Sequence, residues 1–126
     1  MNLVVFDIDG TLIRSHGVGR RAFNRAFQEI LGVEGALDAI SLAGLTDRLI
    51  FKMVAEQFEL ALTQQHIDRV VETYLEYLAQ GLESSTSFEV LKGVPALLTS
   101  LHNSSGIGLA VGTGNIEEGA KLKLQR

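Results

Sequence analysis

The sequence predicts an α/β fold in which a parallel sheet is interrupted by an inserted all-helical subdomain. Two observations predict it. Two short apolar runs, Leu3–Phe6 and Ile107–Val111, each end in a glycine-bearing turn, Asp7-Ile8-Asp9-Gly10-Thr11 and Gly112-Thr113-Gly114-Asn115. Continuous apolar runs of this length read as fully buried strands, typical of parallel sheets. Between them, residues 15–88 carry apolar positions at helical spacing, far more chain than one crossover helix requires.

The elements follow in order. Leu3–Phe6 is the first strand. Val18, Ala22, Phe23, Ala26, Phe27, Ile30 and Leu31 recur at helical spacing, and Gly32 follows as a C-terminal cap. Thr46-Asp47 offers N-cap chemistry before Leu49, Ile50, Val54 and Phe58. Thr63 caps a third helix carrying Ile67, Val70, Val71, Tyr74, Leu75, Leu78 and Leu82. Glu83–Ser87 is polar and reads as a linker. Gly93-Val94-Pro95 places proline in the first turn of a short helix through Leu101. Ile107–Val111 is the second strand, and a helix follows it.

Composition excludes several classes. The chain has 126 residues, 46% of them hydrophobic and 21% charged, which suits one globular domain and argues against disorder. Eleven basic against 15 acidic residues leave a formal charge of −4, so no basic surface is expected to attract nucleic acid. There are 0 cysteines, which removes disulfides and thiolate metal sites. No run approaches the ~18 apolar residues of a membrane span. The N-terminus lacks the pattern of a signal peptide, and a cytoplasmic location is expected. Asn103-Ser104-Ser105 matches a glycosylation acceptor that has no export signal to make it meaningful.

The candidate chemistry sits after the first strand. In open α/β sheets ligands bind outside the carboxyl ends of strands, and Asp7 and Asp9 lie there two residues apart. Burying two such carboxylates is costly unless a cation or hydrogen bonds compensate, and Mg2+, a hard ion that prefers oxygen, suits them. Gly10 permits a sharp turn and Thr11 adds a hydroxyl. An ordinary acidic turn is the simpler reading of the same residues.

The stretch Phe6-Asp7-Ile8-Asp9-Gly10-Thr11-Leu12 resembles the first motif of the haloacid dehalogenase (HAD) superfamily, and Val111-Gly112-Thr113-Gly114-Asn115 resembles its second. Gly44-Leu45-Thr46-Asp47 and Gly114-Asn115-Ile116-Glu117-Glu118, with Ala120-Lys121-Leu122-Lys123-Leu124 beyond, are similar to the phosphoglycolate-phosphatase-like branch. The resemblance implies a HAD-like Rossmannoid core with an inserted helical cap. It divides the chain into residues 1–14 (first core strand and catalytic loop), 15–88 (helical cap) and 89–126 (core continuation with the second motif, the core incomplete).

The resemblance also implies roles. Asp7 is the nucleophile that forms an aspartyl-phosphate, and Asp9 is the general acid and then the general base. Mg2+ is held by a carboxylate oxygen of Asp7 and the backbone carbonyl of Asp9. Thr113 hydrogen-bonds a phosphoryl oxygen, with Gly114 and Asn115 beside it. Lys123 best matches the lysine that stabilises the phosphoryl group, with Lys121 and Lys92 as weaker matches. Dehalogenases lack the acid at the position of Asp9, which favours a phosphate-monoester hydrolase on a small phosphorylated metabolite such as phosphoglycolate; a sugar phosphomutase or a nucleotidase is the alternative.

Arg14, His16 and Arg48 are candidates for meeting a substrate anion, with surface charge the simpler reading. His66 and His102 read as helix-surface or helix-end residues, and Phe23, Phe27, Phe51, Phe58, Tyr74 and Tyr77 as cap core or surface instead of a ligand box. Family members continue with further strands and an acidic fourth motif, so this chain is expected to be C-terminally truncated. Self-association through its incomplete core is therefore expected. Two other readings compete. A dinucleotide-binding turn would need glycine where Glu117 stands, and a negative side chain there opposes a pyrophosphate. A catalytically silent fragment that binds a partner through its helices is the other.

Overall fold

The computed structural model describes residues 2–40 and 45–125. Gly44, part of one of the branch-like stretches, lies outside them. The elements run β1 (Asn2–Phe6), β2 (Ile13–Arg14), α1 (Val18–Leu31), α2 (Asp47–Gln57), α3 (Gln64–Ser84), β3 (Glu89–Val90), α4 (Val94–His102), β4 (Ile107–Val111) and α5 (Glu117–Gln125). They form two compact units: a sheet unit of residues 1–16 and 86–113, and a helical unit of residues 17–85 and 114–126.

In the sheet unit β1 and β4 pair in parallel, from Asn2↔Ile107 to Phe6↔Val111. Backbone bonds extend the ladder at both ends: Asn2 N–H donates to the Gly106 carbonyl at 2.8 Å and Gly112 N–H to the Phe6 carbonyl at 2.7 Å. A side chain at Gly112 would meet Val5 Cγ1 at 2.9 Å, so glycine lets the chain leave the ladder there. β2 and β3 form a two-residue antiparallel ribbon, too short to show any periodicity in sequence.

The strands differ from the expected fully buried ones. Leu3 is 65% and Val5 58% exposed, and Leu109 and Val111 are exposed as well. Parallel strands need cover on both faces; in this unit α4 packs against β4, yet none of the α4 residues is buried.

The helical unit encloses a core. α1 buries Val18, Ala22, Phe23, Ala26 and Phe27, a stripe at the helical period, against α3. A Cβ at Gly81 would lie 2.9 Å from Val18 Cγ1, so glycine permits close approach of the two helices. The Phe23 ring stacks on Tyr74 at 3.7 Å between centroids, and Phe51 meets Phe23 edge-on at 6.0 Å. These aromatic residues are core, as the sequence suggested.

Both threonine caps form. Thr46 Oγ1 accepts from Leu49 N–H at 3.2 Å. Thr63 Oγ1 accepts from His66 N–H, and His66 Nδ1 accepts from Thr63 N–H, so a histidine completes the capping box where Glu or Gln usually stands. Gly32 ends α1 in the left-handed region at φ 70. The non-periodic residues Ala36, Leu37 and Ile40 are also buried. Asn24 Oδ1 accepts from Leu37 N–H, and the Arg20 guanidinium donates to the carbonyls of Leu37 and Ile40. α5 packs against α3 and belongs with the helices, so the segment 89–126 divides after Thr113. Among the described residues no helix is long and apolar enough to cross a membrane.

Candidate functional site

The carboxyl edge of the β1–β4 pair brings together residues more than a hundred positions apart. Phe6 and Val111 are the last registered pair, so the chain leaves the sheet into Asp7 on one strand and into Gly112-Thr113 on the other. This is where parallel sheets bind ligands.

The loop after β1 is held by its own backbone. Ile8 is fully buried, and its carbonyl accepts from the amides of Thr11, Leu12 and Ile13 at 3.2, 2.9 and 3.2 Å. Gly10 turns the chain at φ 77, and its amide donates to the Ile13 carbonyl at 2.8 Å. Leu91 N–H ties Leu12 to the start of the return segment. Anchored Ile8 is flanked by Asp7 and Asp9, both exposed. Asp7 Oδ1 accepts from Ile8 N–H at 2.9 Å, which fixes one carboxylate oxygen. The burial cost considered from the sequence does not arise, because both carboxylates face solvent.

The Asp7 carboxylate and the Asp9 backbone carbonyl on this turn fit a hard divalent cation, since Mg2+ prefers oxygen, commonly takes one or two protein carboxylates and completes its shell with water and phosphate. Among the described residues no third acidic, histidine or cysteine side chain joins them.

Gly114, Asn115 and Lys123 belong to the helical unit, whereas Asp7, Asp9 and Thr113 belong to the sheet unit. Gly114 lies against the N-terminus of α2: an added Cβ would be 2.5 Å from the Leu45 carbonyl oxygen and 2.9 Å from Thr46 Cα. Its own carbonyl accepts from Asp47 N–H at 2.8 Å. Lys123 is 5% exposed, and its Nζ donates to Asn115 Oδ1 at 2.7 Å. The sequence expected Lys123 to stabilise a phosphoryl group; within the helical unit its ammonium meets Asn115, one of the residues named with it for phosphate binding.

Lys121 is solvent-facing. A hydrogen bond from its ammonium to Glu117, at 3.0 Å, and then the Glu117 charge hold it above the ordinary lysine value. Lys92 and Arg48 are exposed. Arg14 and His16 each lie 3.4 Å from Glu89 on the surface ribbon. His66 is the helix cap already described, and His102 stands in the last turn of α4.

Sequence reasoning missed Asp47. It read as the first residue of a capped helix, yet it is buried, and its Oδ2 accepts from Ile116 N–H at 2.6 Å. The available signal was that Gly44–Asp47 and Gly114–Glu118 stood out together; Leu45, Thr46 and Asp47 meet Gly114 and Ile116 in space.

The family model for haloacid dehalogenase-like hydrolases matches residues 4–126. No curated protein matches the chain. Among solved structures, a hydrolase from Pseudomonas syringae is similar at 20% identity with a TM-score of 0.78, over 98% of this chain and 54% of that one. A predicted phosphoglycolate phosphatase from Haemophilus somnus 129pt is similar at 20% identity with a TM-score of 0.66, over 99% of this chain and 56% of that one. CbbY from Rhodobacter sphaeroides, in complex with phosphate, gives the same identity, TM-score and coverage. These likenesses are of fold, and the chain spans a little over half the length of those structures.

Proposed function

This chain belongs to the haloacid dehalogenase-like hydrolase family, and on that premise we propose that it carries the nucleophile and acid–base segment of a phosphate-monoester hydrolase acting on a small phosphorylated metabolite such as phosphoglycolate. The observation that carries this reading is the meeting of Asp7 and Gly112-Thr113 at one carboxyl sheet edge, with Asp9 on the same turn. The fold shared with a predicted phosphoglycolate phosphatase and with CbbY in complex with phosphate supports it.

In this reading a carboxylate oxygen of Asp7 attacks phosphorus. The oxygen–phosphorus bond forms as the ester bond breaks, and Asp9 gives its proton to the leaving alkoxide. Asp9 then takes a proton from water, which attacks the aspartyl-phosphate, releases phosphate and restores Asp7. The Thr113 hydroxyl donates to a phosphoryl oxygen. The Asp7 carboxylate and the Asp9 backbone carbonyl would hold Mg2+, which would supply charge neutralisation between the carboxylate and the phosphate.

Phosphate release from phosphoglycolate, with and without Mg2+, tests the proposal. Release by the unmodified chain is expected to depend on Mg2+ and to vanish in Asp7→Asn, because an amide is a poor nucleophile. Asp9→Asn is expected to slow turnover by about 10²–10⁴-fold. Undiminished release by Asp7→Asn would sink the reading.

A further inference from the structure

The helical unit carries a groove that has no part in the proposed reaction. It runs between α1 and α3 and has a volume of about 240 Å³. Val18 and Ala22 give it an apolar lining, and Gly81 adds no side chain where the two helices approach. Arg21 and Arg25 stand on the α1 wall, and Tyr77, Gln80 and Ser84 on the α3 wall. All of these residues belong to the helical unit.

The two arginines are one helical turn apart. Residues four apart on a helix are neighbours, about 5–6 Å apart at Cβ, and like charges there destabilise it. Among the described residues no acidic side chain lines the groove to offset them. Both guanidinium groups are also placed. Arg25 lies over the Tyr77 ring, 4.1 Å from its centroid, a cation–π contact. The Tyr77 hydroxyl donates to Glu29 Oε1 at 3.3 Å, which steadies the ring. Arg21 lies against Gly17, where a Cβ would stand 3.0 Å from Nη1.

Stacking uses the face of the Arg25 guanidinium, whereas its N–H donors lie in the plane. A guanidinium has five such donors, so each arginine can keep its present contacts and still take an oxyanion. The Ser84 hydroxyl donates to the Gln80 carbonyl at 2.9 Å. The two guanidinium groups and the Gln80 carboxamide are therefore the donors that the groove offers to a ligand.

We infer that this groove binds a small metabolite with two oxyanion groups, carboxylate or phosphate, on a short carbon body. Each end meets one arginine, the body lies on Val18 and Ala22, and Gln80 donates to one end. Two negative ends relieve the repulsion along α1, and a bound ligand bridges α1 to α3. The site stands apart from Asp7 and does not depend on the reaction proposed for it.

The test titrates the whole chain, without metal, and reads backbone amide shifts by NMR at low ionic strength, where exposed charges are least screened. The probes are glutarate, with two carboxylates, phosphonoacetate, with a phosphonate and a carboxylate, and butyrate, with one carboxylate. Glutarate or phosphonoacetate is expected to move the amides of Arg21, Arg25, Gln80 and Gly81 saturably. The better of the two should bind about tenfold more tightly than butyrate, the equivalent of one charge-assisted contact. Arg21→Gln and Arg25→Gln should each raise that Kd about tenfold. Tyr77→Phe keeps a ring under Arg25 and should stay within about threefold of the parent. Thermal unfolding without ligand checks that these substitutions leave the helical unit folded.

The absence of saturable shifts at those amides would overturn the inference. So would equal affinity for butyrate and both two-ended probes, or affinity unchanged in both arginine variants. Shifts confined to Asp9–Leu12 and Thr113 would put the anion in the sheet unit and overturn it as well, whatever becomes of the phosphatase reading.

Discussion

The two units put similar apolar sequence to different use. In the helical unit α1 and α3 bury their stripes against each other, and Phe27, Val54, Val70 and Leu78 are fully enclosed. In the sheet unit Ile8, Leu12 and Ile13 are the buried hydrophobic residues among those described, while Leu3, Val5, Val90, Leu97, Leu109 and Val111 are exposed. A helix pair can satisfy its backbone internally and cover its own apolar faces. A parallel strand pair has two edges and two faces, and it depends on further elements for all of them. The candidate catalytic acids belong to the open unit, whose loop is fixed by local backbone bonds instead of by a surrounding core.

The largest expected effects come from opposing the two units directly. Phe27→Ala should destabilise the helical unit by about 3–5 kcal/mol, read as a lowered thermal midpoint. Leu3→Thr, on an exposed face, should change stability by no more than about 0.5 kcal/mol. Equal losses would break the comparison. Self-association through the exposed strands is the partner expected for such edges. Sedimentation velocity should show concentration-dependent association that Leu3→Thr with Val111→Thr reduces; association untouched by the pair would move it elsewhere.

A pair of glycines sharpens the contrast. Gly114→Ala in the helical unit presses a Cβ against fixed backbone at 2.5 Å and should cost about 1–3 kcal/mol. Gly112→Ala in the sheet unit meets one methyl of Val5, which can turn aside, and should cost less. Chemical denaturation of both variants ranks them.

Thr63→Ala should remove about 1 kcal/mol through loss of the α3 cap, visible as faster amide exchange at the start of that helix. The smallest effect concerns Lys121. Its raised pKa means that the Glu117 interaction is fully present below the ordinary lysine value and is lost as pH rises through the raised one. The pair is therefore intact from neutral pH up to the ordinary lysine value, and α5 amide protection, corrected for the intrinsic rise of exchange with pH, should stay constant over that range; on so exposed a side chain the later loss should change it little.

Much of the architecture was legible because local signals agreed. The apolar period predicted α1, Thr46 and Thr63 marked the starts of α2 and α3, and Gly32 marked an end. Asp7 through Leu12 announced the site through a pattern that needs a buried strand, a glycine turn and two acids in sequence. Three features were hidden for physical reasons. The β2–β3 ribbon is two residues long on each side. The buried segment around Leu37 is held by side chains of Arg20 and Asn24, which look like surface residues in sequence. Asp47 and Lys123 read as helix-terminal and solvated charges, because burial of a charge depends on partners distant in the chain.

The central claim is that Asp7 carries the phosphoryl group, and trapping the intermediate tests it most directly. With p-nitrophenyl phosphate the leaving group departs without needing a proton, so Asp9→Asn should still form the aspartyl-phosphate and then fail to hydrolyse it. Mass spectrometry of the Mg2+-treated variant should find one phosphoryl group, labile to hydroxylamine, on the peptide holding Asp7, and none after Asp7→Asn. A phosphoryl group on any other residue, or one that persists in Asp7→Asn, would contradict the account.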